Sequence, residues 1–193
     1  MTLKSIPNIL TASRIVLAVA VFFALAAAAR SHDAAAVGAV SPLVLFAFFA
    51  FVVCALTDFF DGWLARRLDA QSAWGAILDP IGDKIAVLAA ILGLLLLEPR
   101  FGIAIPGFLI LFREMFVSGL REAGAGRGLK FPVTQLAKWK TTVQLVALSL
   151  EILAAASAHM SGLAVASDIL LWVAALMTLW TGAQYMLAAA RQL

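Results

Sequence analysis

Charge is scarce in this chain. Asp, Glu, Lys and Arg make up 13% of its 193 residues, while 64% are hydrophobic. Soluble domains carry about 25% charged residues, so a solvated globular surface, a disordered chain and a nucleic-acid-binding face are all excluded. Cysteine is nearly absent: Cys54 alone leaves no internal disulfide, and its place in the apolar run Leu43 to Leu56 reads as a small buried hydrophobe. Histidine is limited to His32 and His159, which lack ligand-spaced companions, so no histidine metal site is expected. Long uninterrupted apolar runs are lacking too. The clean runs Ile15 to Ala29, Leu43 to Leu56, Ile85 to Leu97 and Phe101 to Phe112 all fall short of the ~18 residues of a plain spanning helix.

What is present explains those short runs, because each continues into charge at one end. Arg14 precedes span 1. Asp58, Asp61 and Arg66 follow span 2, and Asp79, Asp83 and Lys84 open span 3. Arg113 and Arg121 close span 4, Lys138 and Lys140 open span 5 (about 134 to 157), and Arg191 follows span 6 (about 167 to 190). In a serpentine of antiparallel helices these alternating ends share one side. The chain therefore reads as an all-α integral membrane protein of one domain, residues 1–193, with six transmembrane helices and a polar pocket opening to one face. Lys4, Arg66, Arg67, Arg127, Lys130 and Arg191 fall on that face, against Arg30 and Arg100 on the other, so the positive-inside bias makes the pocket and both termini cytoplasmic. Lys4 before an apolar run ending in Ala26 to Ala29 has the outline of a cleavable signal. Removing it would discard Asn8, Thr11 and Arg14 from the pocket side, so the segment is read as span 1.

From Asp58 to Asp83 the sequence is DFFDGWLARRLDAQSAWGAILDPIGD, which fits D-x2-D-G-x2-A-R-x8-G-x3-D-x3-D throughout. Asp58 and Asp61 are i and i+3 on one helix, and Asp79 and Asp83 are i and i+4 on the next, so each pair shares a face. Four carboxylates at close quarters repel one another and draw protons unless hard cations bridge them, and oxygen donors suit Mg²⁺ or Mn²⁺. The expectation is a two-metal site of Asp58, Asp61, Asp79 and Asp83, fit for in-line displacement at phosphorus. The alternative for any single aspartate is a helix cap or an ion pair with Arg66, Arg67 or Lys84.

This segment resembles the signature of the CDP-alcohol phosphotransferase family, integral-membrane enzymes that transfer a phosphate-linked group from a CDP-activated donor. The resemblance implies that the four aspartates organise two divalent cations and that Asp83 is also the base that takes the proton of the incoming hydroxyl. It implies that Gly62, Ala65 and Gly75 are small so that the CDP-diacylglycerol nucleotide can approach, and that Arg66 reaches its diphosphate. Asn8 and Thr11 join the donor side. Small residues equally serve close helix packing, which leaves Gly62 and Gly75 with two readings.

The likeness extends to Pro7-Asn8-Ile9-Leu10-Thr11-Ala12-Ser13-Arg14, to Arg113-Glu114, to Leu120-Arg121-Glu122 and to Lys138-Trp139-Lys140-Thr141-Thr142-Val143-Gln144. These stretches resemble the bacterial phosphatidylglycerophosphate synthase branch of the family. That branch implies attack of glycerol 3-phosphate on the β-phosphorus of CDP-diacylglycerol with release of CMP, in the bacterial inner membrane. Arg113, Arg121, Lys138 and Thr141 would then hold the acceptor. Lys140 reads either as a pocket cation or as a side chain snorkelling to the surface. Arg113 follows an uncharged stretch and reads as a pocket residue or as the ion-pair partner of Glu114. Trp63, Trp74, Trp139, Trp172 and Trp180 read as interfacial anchors. Glu151 and Asp168, toward the opposite end, match no motif. The partners expected are CDP-diacylglycerol, glycerol 3-phosphate and the bilayer, with a homodimer left open. The rival acceptors are inositol phosphate, serine and phosphatidylglycerol, and the rival class is a small cation transporter built on intramembrane carboxylates.

Overall fold

The computed structural model describes residues 6–31, 40–68, 73–126, 135–156 and 161–191, without the side chains of 6–11, 31, 58–68, 73–77, 79, 137, 138 and 161. Six helices make up the described chain: α1 (Ile6–Ser31), α2 (Pro42–Leu68), α3 (Ala73–Leu97), α4 (Phe101–Ala125), α5 (Gln135–Ala154) and α6 (Ser161–Ala190). In lipid an unpaired backbone amide or carbonyl is costly, and a helix satisfies both within its own segment. That is why α2 and α3 do not stop where their apolar runs stop. They run on through Asp58 to Leu68 and from Ala73 to Asp83, so the carboxylate segment is carried on helical extensions. α6 likewise begins earlier than the hydropathy alone suggests.

Four helices contain stretches long and apolar enough to cross a bilayer: Ala12–Arg30, Pro80–Leu97, Phe101–Ala125 and Gly162–Ala190. The apolar part of α2, Pro42–Thr57, is shorter. In α5 the polar residues Lys138, Lys140, Gln144 and Glu151 dilute the hydropathy.

The helices form two halves. α1 packs against α2 and α3, and α6 packs against α4 and α5, while narrower contacts of α2 with α5 and of α3 with α4 and α5 join them. Glycine permits the closest approaches. A Cβ at Gly93 of α3 would lie 2.7 Å from Leu25 Cδ1 of α1, and one at Gly107 of α4 would lie 2.7 Å from Ile91 Cγ2 of α3. Where both protein and lipid are apolar, this tight fit of small residues is what selects one helix pairing over another. The core sealed by it includes Leu25, Phe51, Ile91, Leu94, Ile110, Leu148 and Leu171. Cys54 is buried in that core as expected, with its thiol toward the Arg14 carbonyl. Outward, Phe108, Phe112 and Phe116 stack along one exposed face of α4, and Trp139, Trp172 and Trp180 are exposed.

Candidate functional site

The seam between the two halves opens into a polar cavity of about 330 Å³ at the end where α3 begins and α4 finishes. α3 contributes Asp83 and Lys84, and α4 contributes Arg113, Glu114, Ser118, Arg121 and Glu122. A side cavity of about 80 Å³ shares Asp83, Lys84 and Glu114 and reaches α5 at Thr141 and Gln144.

Asp83 sits where these spaces meet. Its carboxylate is 48% exposed, and its Oδ1 accepts a 2.8 Å bond from Nη1 of Arg14, whose own side chain is 1% exposed. A buried arginine therefore fixes one oxygen of the carboxylate while the group still faces the cavity. Asp79 precedes Asp83 by four residues on α3.

The cationic wall is built around two acceptors. Glu114 Oε1 receives Nη1 of Arg113 at 3.2 Å and the Lys140 ammonium, which answers the open reading of Lys140: it is buried against Glu114 and does not snorkel. Arg113 is buried as well; its Nη2 donates to Thr181 Oγ1 at 3.1 Å. Tyr185 is the second organiser. Its ring lies 5.7 Å from the Arg113 guanidinium and 4.8 Å from that of Arg121, and its hydroxyl accepts from Arg121 Nη2. A desolvated ring face between two guanidinium groups attracts both and offsets part of their mutual repulsion. Gly182 makes room for this: a Cβ there would lie 2.9 Å from Arg113 Cγ. Lys84, Arg113 and Arg121 on the cavity wall, with Lys140 paired to Glu114, outnumber the carboxylates Asp83, Glu114 and Glu122 by one, and the two guanidinium groups suit a dianionic phosphate.

Of the residues expected at the site, Asp83, Arg113, Arg121 and Thr141 converge on these connected cavities. Asp58, Asp61, Gly62, Ala65 and Arg66 lie on the last turns of α2, Gly75 and Asp79 on the first turns of α3, Asn8 and Thr11 on the first turns of α1, and Lys138 on the first turn of α5. Their side chains fall outside the described set, as do His32, His159 and the loop residues Arg127, Gly128, Lys130 and Pro132. Among the described residues no group of three His, Cys, Asp or Glu side chains forms a metal site. Glu114 as the hub, Gln144, Thr181, Gly182 and Tyr185 were not singled out from sequence. Two signals were available. Lys140 and Gln144 are i and i+4 on α5, and Tyr185 is the sole tyrosine of the chain.

The opposite end carries a second charged cluster. Arg100, in the α3–α4 connection, donates Nη2 to Glu151 Oε2 at 2.7 Å, Nε to Glu98 Oε2 at 3.1 Å and Nη1 to Asp168 Oδ2. Burial works against the Arg100 charge, but the fields of Glu151, Asp168 and Glu98 outweigh it and raise its pKa further above the ordinary arginine value. Glu151 and Asp168, which matched no motif, are thus the anchors that tie α5 and α6 to the α3–α4 turn.

The CDP-alcohol phosphatidyltransferase family pattern matches residues 4–180. A protein of Cereibacter sphaeroides named CDP-diacylglycerol--glycerol-3-phosphate 3-phosphatidyltransferase is 46% identical over 122 residues, which is 62% of this chain and 54% of that one. The protein of the same name from Rickettsia bellii is 42% identical over 135 residues, 70% of this chain and 74% of its own. That from Rickettsia felis is 37% identical over 182 residues, 94% of this chain and 93% of its own. With its family pattern covering most of its length and a near end-to-end relative, this chain belongs to the CDP-alcohol phosphatidyltransferase family.

Proposed function

We propose that the chain transfers the phosphatidyl group of CDP-diacylglycerol to glycerol 3-phosphate, giving phosphatidylglycerophosphate and CMP. The observation that carries this is the pair of guanidinium groups of Arg113 and Arg121 lining the same cavity as Asp83, with Lys140 paired to Glu114 beside them. An acceptor that is itself phosphorylated fits such a wall, and a neutral alcohol has no use for it. The names of the relatives from Cereibacter and Rickettsia support the same acceptor.

In this reading Arg113 and Arg121 hold the acceptor phosphate, with Lys138 and Thr141 beside them, and orient the acceptor hydroxyl toward Asp83. Arg14 holds the Asp83 carboxylate in place, and that carboxylate, facing the cavity, takes the hydroxyl proton as the oxygen attacks the β-phosphorus. The bond from that phosphorus to the oxygen bridging the two phosphates breaks, and CMP leaves with the electron pair. Arg66 meets the donor diphosphate, with Asn8, Thr11, Gly62, Ala65 and Gly75 along the donor path. The donor set suits hard cations: Asp58 and Asp61 on the last turns of α2 and Asp79 and Asp83 on the first turns of α3 are all oxygen ligands. Two Mg²⁺ or Mn²⁺ ions there supply electrostatic stabilisation of the attacking and leaving oxygens. In this reading all six helices span the bacterial inner membrane with this end at the cytoplasmic face, which the concentration of basic residues in the sequence at this end supports.

The test is CMP release by purified protein with CDP-diacylglycerol and a panel of acceptors. Turnover is expected with glycerol 3-phosphate. Turnover with serine, inositol phosphate or phosphatidylglycerol and none with glycerol 3-phosphate overturns the reading.

A further inference from the structure

Gln144 is the polar side chain that the site has not yet used. It is 2% exposed, and its Oε1 is buried without a hydrogen-bond partner among the described residues. Buried carbonyl oxygens are almost always paired, because one taken out of water unpaired loses its hydration and gains nothing. Gln144 lines the 80 Å³ side cavity with Asp83, Lys84, Glu114 and Thr141, and this space shares three residues with the larger cavity that holds Arg113 and Arg121. The position is fixed rather than adaptable. Gln144 follows Lys140 by one helical turn, and Lys140 is tied to Glu114 of α4.

We propose that Gln144 is a specificity-determining residue: its amide oxygen accepts a hydrogen bond from the non-reacting hydroxyl of the acceptor. The inference rests on the reading of the acceptor as glycerol 3-phosphate. A three-carbon polyol phosphate has its phosphate at one end, its reacting hydroxyl at the other and a second hydroxyl between them. With the phosphate against Arg113 and Arg121 and the reacting hydroxyl at Asp83, the middle carbon lies beside the side cavity. The middle hydroxyl then has Gln144 as its acceptor. A site built around such a hydroxyl discriminates against an analogue without it, since binding the analogue leaves the amide unpaired.

The experiment compares glycerol 3-phosphate with 3-hydroxypropyl phosphate, which lacks only the middle hydroxyl, by CMP release at saturating CDP-diacylglycerol. The wild type should favour glycerol 3-phosphate by at least about tenfold in kcat/KM, the scale of one well-made hydrogen bond. Gln144→Leu, apolar and similar in size, should bring the two acceptors within about threefold, mostly by losing glycerol 3-phosphate, with the donor KM unchanged. Because both acceptors are read on one preparation, the ratio is independent of the fraction correctly folded. Gln144→Asn, which keeps the amide but draws it back, provides a second variant and should also shrink the ratio. A ratio unchanged in both variants, as expected if Gln144 only holds a water molecule or packs the helix, overturns the proposal. A wild type inactive with glycerol 3-phosphate overturns the underlying acceptor reading and this assignment with it, an outcome separate from the former.

Discussion

Replacing Arg100 with methionine removes the cation shared by three carboxylates while keeping an unbranched side chain of comparable length. The consequence is set by Glu151, which is fully buried and has its Oε2 on the guanidinium at 2.7 Å. Asp168 and Glu98 are 30% and 35% exposed, so water compensates them in part. Glu151 has no such recourse. Breaking a buried ion pair by removing one partner typically costs about 3–5 kcal/mol, because the remaining charge stays desolvated. The expected loss for Arg100→Met lies in that range, with Glu151 as its main source. The measurement is reversible unfolding in mixed micelles of mild and denaturing detergent, followed by helical signal, for Arg100→Met, Glu151→Gln and the double variant. Glu151→Gln in the Arg100→Met background should recover most of the loss, since the amide needs no counter-charge. The cluster lies at the end remote from Asp83, so KM values for both substrates should be unchanged in whatever fraction remains folded. A loss under about 1 kcal/mol, or a double variant no more stable than Arg100→Met, would show that Arg100 does not hold Glu151 in the folded protein.

Further outcomes follow for the site and for its orientation. Arg121→Ala should lower kcat/KM for glycerol 3-phosphate by roughly 10- to 100-fold, the worth of ~1.5–3 kcal/mol for a charged contact, and leave the donor KM alone; Tyr185→Phe, which removes only the hydroxyl that accepts from Arg121, should have the same signature at roughly threefold to tenfold. If both weaken the donor instead, Arg113 and Arg121 do not face the acceptor. Asp58→Asn, Asp61→Asn or Asp79→Asn should abolish turnover and its dependence on added Mg²⁺, whereas Asp69→Asn, outside the paired positions, should be nearly silent; full activity of Asp79→Asn removes the two-metal mechanism. Single cysteines at Ser5, Gly128 and Ser161 in a Cys54→Ala background should react with an impermeant thiol reagent outside intact cells only at Ser161. Labelling at Gly128 reverses the proposed orientation.

The sequence by itself determined the helices and their polar ends. A high share of apolar residues and short apolar runs, each passing into charge at alternate ends, are local signals, and a helix in lipid closes its hydrogen bonds within four residues of each position. The spacing of Asp58, Asp61, Asp79 and Asp83 was equally legible, because each of the two pairs lies about one turn apart on its own helix. Partners between helices were not. Arg100 precedes Glu151 and Asp168 by 51 and 68 residues, and Arg113 precedes Thr181 by 68. No periodicity links such positions. Only the packing of α6 between α4 and α5 brings Tyr185 against two arginines, and only tertiary packing brings Lys140 of α5 onto Glu114 of α4. The choice among helix pairings rests on close fits such as Gly93 on Leu25 and Gly182 on Arg113. Those depend on shape across the whole bundle, where apolar side chains of nearly equal hydropathy give the sequence no means of telling one neighbour from another.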